Sequence, residues 1–170
     1  MDKRLFILPQ SEIAAYGNQA LTYGSLTPKG IKKMVSTVKR LCVKWDISAL
    51  DLGCGDGELL FHLQTHLGGI WEGVEISEHR VNLQTRDVCI WQGDFLNEDM
   101  RSYNLLHADN LCLEDSVAEA LEQKIAREFS GVYISYRTPV DISFLKRAIL
   151  LDTVPTETTW TTHPIQYWYL

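Results

Sequence analysis

Residues 47–57, ISALDLGCGDG, run a short apolar segment into a turn with glycine at alternate positions, Gly53, Gly55 and Gly57. Leu59, Leu60, Leu63 and Leu67 follow at helical spacing, and Gly68-Gly69 closes that run, so the stretch reads as strand, tight turn, helix. One such unit cannot bury both faces of its strand. It needs further strands beside it and helices above and below, which commits the chain to an α/β arrangement.

The rest of the sequence supplies those neighbours. Pro28 starts a helix in which Ile31, Met34, Val35, Val38, Leu41 and Cys42 form the apolar stripe. Strands are expected at 70–75, 88–91, 103–108 and 131–136, with a short helix from Ser77 and a longer one from about Glu114 to Glu128. TETTWTT and IQYWYL, rich in β-branched and aromatic residues, read as a terminal antiparallel hairpin turning around His163-Pro164. The expected fold is Rossmann-like: a mostly parallel seven-stranded sheet with helices on both faces and a C-terminal antiparallel hairpin. With 170 residues, the chain is expected to be one domain: an irregular N-terminal segment and covering loop at 1–28, a core at 29–150 and the hairpin at 151–170.

Open parallel sheets bind ligands at the carboxyl ends of their strands, and three acidic residues fall at successive strand ends. Asp51 precedes the first glycine, where a pyrophosphate ligand wants a free turn, so a ligand bearing an ammonium suits it better. Glu75 ends the second strand at the distance where a carboxylate takes ribose hydroxyls. Asp94, after the third strand, can accept from an adenine amino group while Phe95 covers the ring. S-adenosylmethionine carries all of these features and no phosphate, so it is the expected cofactor.

Taken together, these motifs resemble the class I methyltransferases, and three further segments are similar to the disruptor-of-telomeric-silencing family of non-SET lysine methyltransferases. They are Tyr23-Gly24-Ser25-Leu26-Thr27-Pro28, Ala108-Asp109-Asn110-Leu111 and Trp160-Thr161-x-x-Pro164-x-x-Tyr167. The resemblance implies that the Tyr23 loop covers the methionine end of the cofactor and that Asp51, Gly53, Gly55 and Gly57 hold its amino acid portion. Glu58 and Asp109 would also contact the cofactor, and Trp160 and Tyr167 would line a channel for a lysine side chain of a protein substrate. Asp109 would bind the incoming cation or Asn110 would accept from the amine; both roles stay open. The chain departs from the family at Ser25, Glu58 and Asp109, and the family's basic segments for nucleosomal DNA have no counterpart. Methylation of a small molecule or other nucleophile, and a non-catalytic binding module, fit the same cofactor residues.

Other features bound the reading without adding chemistry. No apolar stretch approaches the roughly 20 residues of a membrane span, so the expected location is cytoplasmic or nuclear. Cys42, Cys54, Cys89 and Cys112 lack metal-ligand spacing and read as reduced thiols. His62 and His66 share a helical face without a third ligand, so no metal is expected. Lys29, Lys32, Lys33, Lys39 and Arg40 read as the solvated face of one helix, and the net charge is −6. Nucleic acid is therefore a poor partner: duplex DNA should show no salt-sensitive gel shift with the purified protein, and a strong one would revive a chromatin role.

Overall fold

The computed structural model describes residues 1–42 and 46–170. Five parallel strands, β1 (Ser48–Leu52), β2 (Ile70–Glu75), β3 (Cys89–Gln92), β4 (Leu105–Ala108) and β5 (Val132–Ser135), are joined through helices except between β3 and β4, where the connection holds only a short 3-10 turn. An antiparallel hairpin, β6 (Ile149–Glu157) and β7 (Thr162–Tyr169), completes a seven-stranded sheet in the order β3-β2-β1-β4-β5-β7-β6. The helices are α1 (Gln10–Ala20), α2 (Pro28–Leu41), α3 (Glu58–Leu67), α4 (Glu78–Val81), α5 (Asp115–Glu128) and α6 (Ile142–Arg147). This is the Rossmann-like architecture that the sequence pattern leads one to expect. Among the described residues no helix is long and apolar enough to cross a membrane.

The sheet is buried on both faces, which explains the near-continuous apolar runs of its central strands. One core packs Met34, Val35 and Val38 of α2 and Leu60 and Leu63 of α3 against Ala49, Leu105, Ile134 and Ile165. The other packs Leu121, Ile125 and Phe144 of α5 and α6 against Leu50, Val74, Leu106 and Tyr133. Thr27 caps α2 by accepting from the Gly30 amide, with Pro28 at the first helical position. The lysines and Arg40 of α2 face solvent, and Arg40 forms an ion pair with Asp152 of β6.

Three features differ from the sequence expectation. The N-terminal segment is not irregular: α1 forms there, broken at Gly17, whose φ of 76° interrupts the periodicity that would have revealed it. A short helix, α6, precedes the hairpin, which begins at Ile149, two residues before the expected boundary. The hairpin turn lies at Thr158–Thr161, not at His163-Pro164. Thr158 closes it by donating from its amide to the Thr161 carbonyl at 2.7 Å and accepting from the Thr161 amide on its hydroxyl at 3.0 Å. His163 and Pro164 instead sit within β7, where Pro164 faces Pro155 across the ladder. Neither proline has an N–H, so the pair leaves no donor unmatched between the strands.

Tyr167 lies in the first core, with no exposed surface, in register with Ile134. Tyr167→Ala should therefore cost about 3–5 kcal/mol of stability, the usual range for emptying a buried aromatic site. Urea denaturation measures this; a negligible loss would mean that the ring is not a core element.

Candidate active site

A cavity of about 320 Å³ opens at the carboxyl ends of β1 to β4. Its wall takes Leu52 and Gly53 from the first strand end, Glu75 from the second, Asp94 and Phe95 from the third, and Asp109 from the fourth. Ala15, Tyr16 and Gln19 of α1, with Tyr23 and Gly24, line it from the N-terminal side. Gly53 adopts a φ of 89°, and a Cβ there would meet nothing within 4 Å, so the backbone itself borders the open space.

Glu75 organises the floor. Its carboxylate accepts from the Gly55 amide at 2.9 Å and the Ser77 amide at 3.0 Å, tying the glycine turn to the end of β2. Each carboxylate oxygen has a second acceptor direction, so these bonds do not exhaust it. Burial pushes the Glu75 carboxyl up, opposed by the Ser77 amide and by Arg80, whose guanidinium lies 3.8 Å away. Arg80 is itself buried; it donates to the Leu5 carbonyl at 3.2 Å and to the Leu21 carbonyl, and it lies over the Tyr23 ring at 5.0 Å. Glu12 adds a second tie, accepting from the Ser77 hydroxyl at 2.5 Å and the His79 amide at 3.0 Å. The segment that covers the cavity is thus fastened on both sides of α1.

Asp51 is buried beneath this floor and does not line the cavity. It forms a 2.7 Å contact with Nδ1 of His107, whose Nε2 lies 3.1 Å from the Tyr136 hydroxyl. Asp109, half-buried in the wall, has its carboxyl pushed up by burial against the lowering effects of His107 and the Leu111 amide. Asp94 uses one oxygen to accept from the Leu96 amide at 2.9 Å, capping the short 3-10 turn that presents Phe95.

Not every expected residue gathers here. Glu58 is held by Arg86, at 2.8 and 2.9 Å, and by His62, and borders a separate cavity on the far side of Tyr23. Gly55 lies beneath the Tyr23 ring, and Gly57 packs toward Val88 and Ile90 of the β3 region; neither lines the main cavity. Asn110 is spent within the protein. Its amide donates to the Tyr133 and Ser135 hydroxyls and accepts from the Tyr136 and Arg137 amides, which fills its hydrogen-bonding capacity and leaves none for an acceptor amine. Tyr167 is a core residue, as described, and lines no part of the cavity.

Trp160 stands at the hairpin turn, 43% exposed, with its ring against Gly24: a Cβ on that glycine would come within 2.2 Å of the indole. The Tyr23 loop is sewn to the same turn, because the Thr159 amide donates to the Ser25 carbonyl at 2.8 Å and Thr27 donates to Glu157 at 2.7 Å. Sequence reasoning missed Arg80, whose burial no local pattern announces. His107, inside the apolar strand Leu105-Leu106-His107-Ala108, reads from the sequence as a structural neighbour of the site, and it is found buried against Asp51.

Residues 34–128 match the family described as methionine biosynthesis protein MetW. The chain belongs to the MetW family. No curated protein sequence matches it significantly. Among solved structures, the magnesium protoporphyrin IX methyltransferase ChlM of Synechocystis PCC 6803 with bound SAM superposes with a TM-score of 0.66 at 13% identity, covering 99% of this chain and 97% of that one. An RNA methyltransferase from Salinibacter ruber, in complex with S-adenosyl-L-homocysteine, gives 0.61 at 20% identity over 84% and 91% of the two chains. A putative class I methyltransferase from Listeria monocytogenes gives 0.58 at 14% identity over 85% and 60%. The fold of this MetW-family chain is that of the class I methyltransferases.

Arg80 should govern whether the covering segment stays docked. Arg80→Met removes one partner of a buried pair and strands the Leu5 and Leu21 carbonyls, at an expected cost of about 3–5 kcal/mol. Chymotryptic cleavage at Tyr16 should accelerate in the folded variant; unchanged protection would mean that other contacts hold the segment.

Proposed function

We propose that the protein binds S-adenosylmethionine in this cavity and transfers its methyl group to an acceptor nucleophile. The observation that carries the reading is the meeting of four successive strand ends at one cavity with Glu75, Asp94 and Asp109 in its wall. That set of side chains is acidic and accepts hydrogen bonds, which matches a ligand with a sulfonium, an ammonium and ribose hydroxyls. The volume also lies within the roughly 300–1,000 Å³ usual for small-molecule sites.

Under this reading the bound cofactor supplies a methyl carbon activated by sulfonium. Glu75 takes the ribose hydroxyls with its remaining acceptor directions, Asp94 and Phe95 take the adenine, and Asp51 acts on the amino acid end from below. Gly53 lets the backbone border the ligand. Tyr23 and α1 exclude water, which favours a reaction whose main demands are alignment and desolvation. No covalent protein intermediate is required.

For the acceptor we propose a lysine ε-amine of a protein, entering beside Trp160. Supporting it are the motif resemblance, the packing of Trp160 on the loop that carries Tyr23, and the Asp109 carboxylate in the cavity wall as a contact for an incoming cation. Tyr167 and Asn110 have no part in this version of the channel. The neighbours sharing this fold include a magnesium protoporphyrin IX methyltransferase and an RNA methyltransferase, so the acceptor is set by the residues at the site and not by the fold.

Two variants test the reading. Glu75→Ala, shown folded by circular dichroism, should weaken S-adenosylmethionine binding at least about tenfold in calorimetry, and unchanged affinity would remove Glu75 from the site. Trp160→Ala should keep cofactor affinity while tritium transfer to a protein mixture collapses. Label appearing only on nucleic acid or small molecules would overturn the lysine assignment and leave methyl transfer standing.

A further inference from the structure

We propose that His107 is a positioning residue for the amino acid end of the cofactor: by taking up or releasing a proton, it sets how much of the Asp51 carboxylate's charge is available to a ligand ammonium. The inference rests on the cofactor reading above and extends it to a residue outside the cavity wall.

The geometry that supports it is a buried row across the sheet. Asp51 of β1, His107 of β4 and Ile134 of β5 are in register, and Asp51 and His107 are each 2% exposed. The carboxylate can only accept, so Nδ1 carries the hydrogen in the 2.7 Å contact whether the imidazole is neutral or charged. On the other side, the Tyr136 hydroxyl can donate to a neutral Nε2 or accept from a protonated one across 3.1 Å. Both protonation states are therefore accommodated without breaking either contact, the requirement for a two-state element in a buried site.

The surrounding groups bias the balance. Asp51 faces His107 from β1, and Asp109 acts on it from the segment following β4. Tyr136 approaches from the end of β5, its hydroxyl pushed up by burial, and His163 of β7 stacks on the Tyr136 ring at 6.3 Å and 14°. Cys54 and Tyr23, on the Asp51 side, are likewise pushed up by burial and carry no charge near neutral pH. Burial by itself would lower the His107 pKa, but the Asp51 charge and hydrogen bond, with Asp109, outweigh it and raise the pKa above 6.5.

The consequence has a definite sign. Below the raised pKa, His107 and Asp51 form a neutral pair with little attraction for a ligand ammonium. Above it, the carboxylate is uncompensated, and its charge, acting from beneath the cavity floor, attracts the ammonium more strongly. By linkage, binding a ligand that carries the amino acid must drive a proton off His107. A nucleoside lacking the amino acid should feel neither effect.

Calorimetry with S-adenosylhomocysteine and 5′-methylthioadenosine, from pH 6 to 8.5 in buffers of different ionisation heat, tests this. For the wild type, affinity for S-adenosylhomocysteine should rise about tenfold across the range, equivalent to a coupling of one pKa unit, with proton release. Affinity for 5′-methylthioadenosine should stay flat. In His107→Gln, which keeps an amide donor for Asp51, the slope and the proton release should both vanish. A second measurement needs no variant: the NMR titration midpoint of the His107 ring should fall when S-adenosylhomocysteine is added and stay unmoved with 5′-methylthioadenosine. Equal pH dependence for the two nucleosides, a slope that survives in His107→Gln, or an unmoved midpoint would overturn the inference alone. If neither nucleoside bound, the cofactor reading would fall and take this inference with it.

Discussion

The buried pairing of Glu75 with Arg80 is the interaction on which the site's construction depends. Glu75 ends β2 and holds the Gly55 and Ser77 amides, so one carboxylate fixes the turn after β1 and the start of α4. Arg80, one turn further on, approaches that carboxylate and carries the same anchor outward to the Leu5 and Leu21 carbonyls. Two desolvated charges are costly, and they persist here because each has hydrogen bonds to backbone groups as well as the opposite charge. The strand ends, the glycine turn and the covering segment are thereby coupled through one pair of side chains.

The same neighbourhood explains why an α/β sheet with a glycine turn need not bind a phosphate. A helix N-terminus normally offers free amides and a positive dipole end to an anion. At α3 that end is met by the protein's own acids: Asp56 accepts from the Glu58 amide at 3.3 Å, and Glu58 sits in the first turn. With Asp51, Glu75 and Asp109 nearby, an added phosphate would face carboxylates on several sides. Burial raises the Asp56, Glu75 and Asp109 carboxyls, the expected response when like charges are gathered in a poorly hydrated place. A cationic ligand relieves that crowding where an anionic one would aggravate it.

The parallel strands were legible because each is a short apolar run bounded by a turn, and β2 occupies the expected 70–75. That Glu75 and Asp94 reach the carboxyl edge was legible for the same reason, since position on a strand fixes which edge a residue reaches, whereas Asp51, one residue short of the end of β1, stays beneath the floor. What escaped depended on distant contacts. Helix α1 is docked by Glu12 and Arg80 across more than half a hundred residues, and Gly17 erases its periodicity. Pro164 looked like a turn because proline usually punctuates a strand; facing Pro155, it removes no ladder bond. Spacing placed Tyr167 near Trp160 in sequence but could not say that one belongs to a strand beneath α2 and the other to the turn beyond it.

The topology supplies the reason for that last division. Because β7 is antiparallel to β5, it begins at the carboxyl edge of the sheet and runs inward, pairing Gln166 with Ser135 and Tyr167 with Ile134. Residues before Gln166 project past the last residue of β5, and the turn they share with β6 must therefore stand over the edge where β1 to β4 end. This overhang sets Trp160 against Gly24, outside the residues that line the cavity, and the backbone bonds from Thr159 to Ser25 and from Thr27 to Glu157 hold the Tyr23 loop against the turn. Tyr167, already inside the paired region, can only face the core. An antiparallel hairpin beside a parallel sheet thus brings the β6–β7 turn back to the loop that carries Tyr23, and that loop in turn lines the cavity.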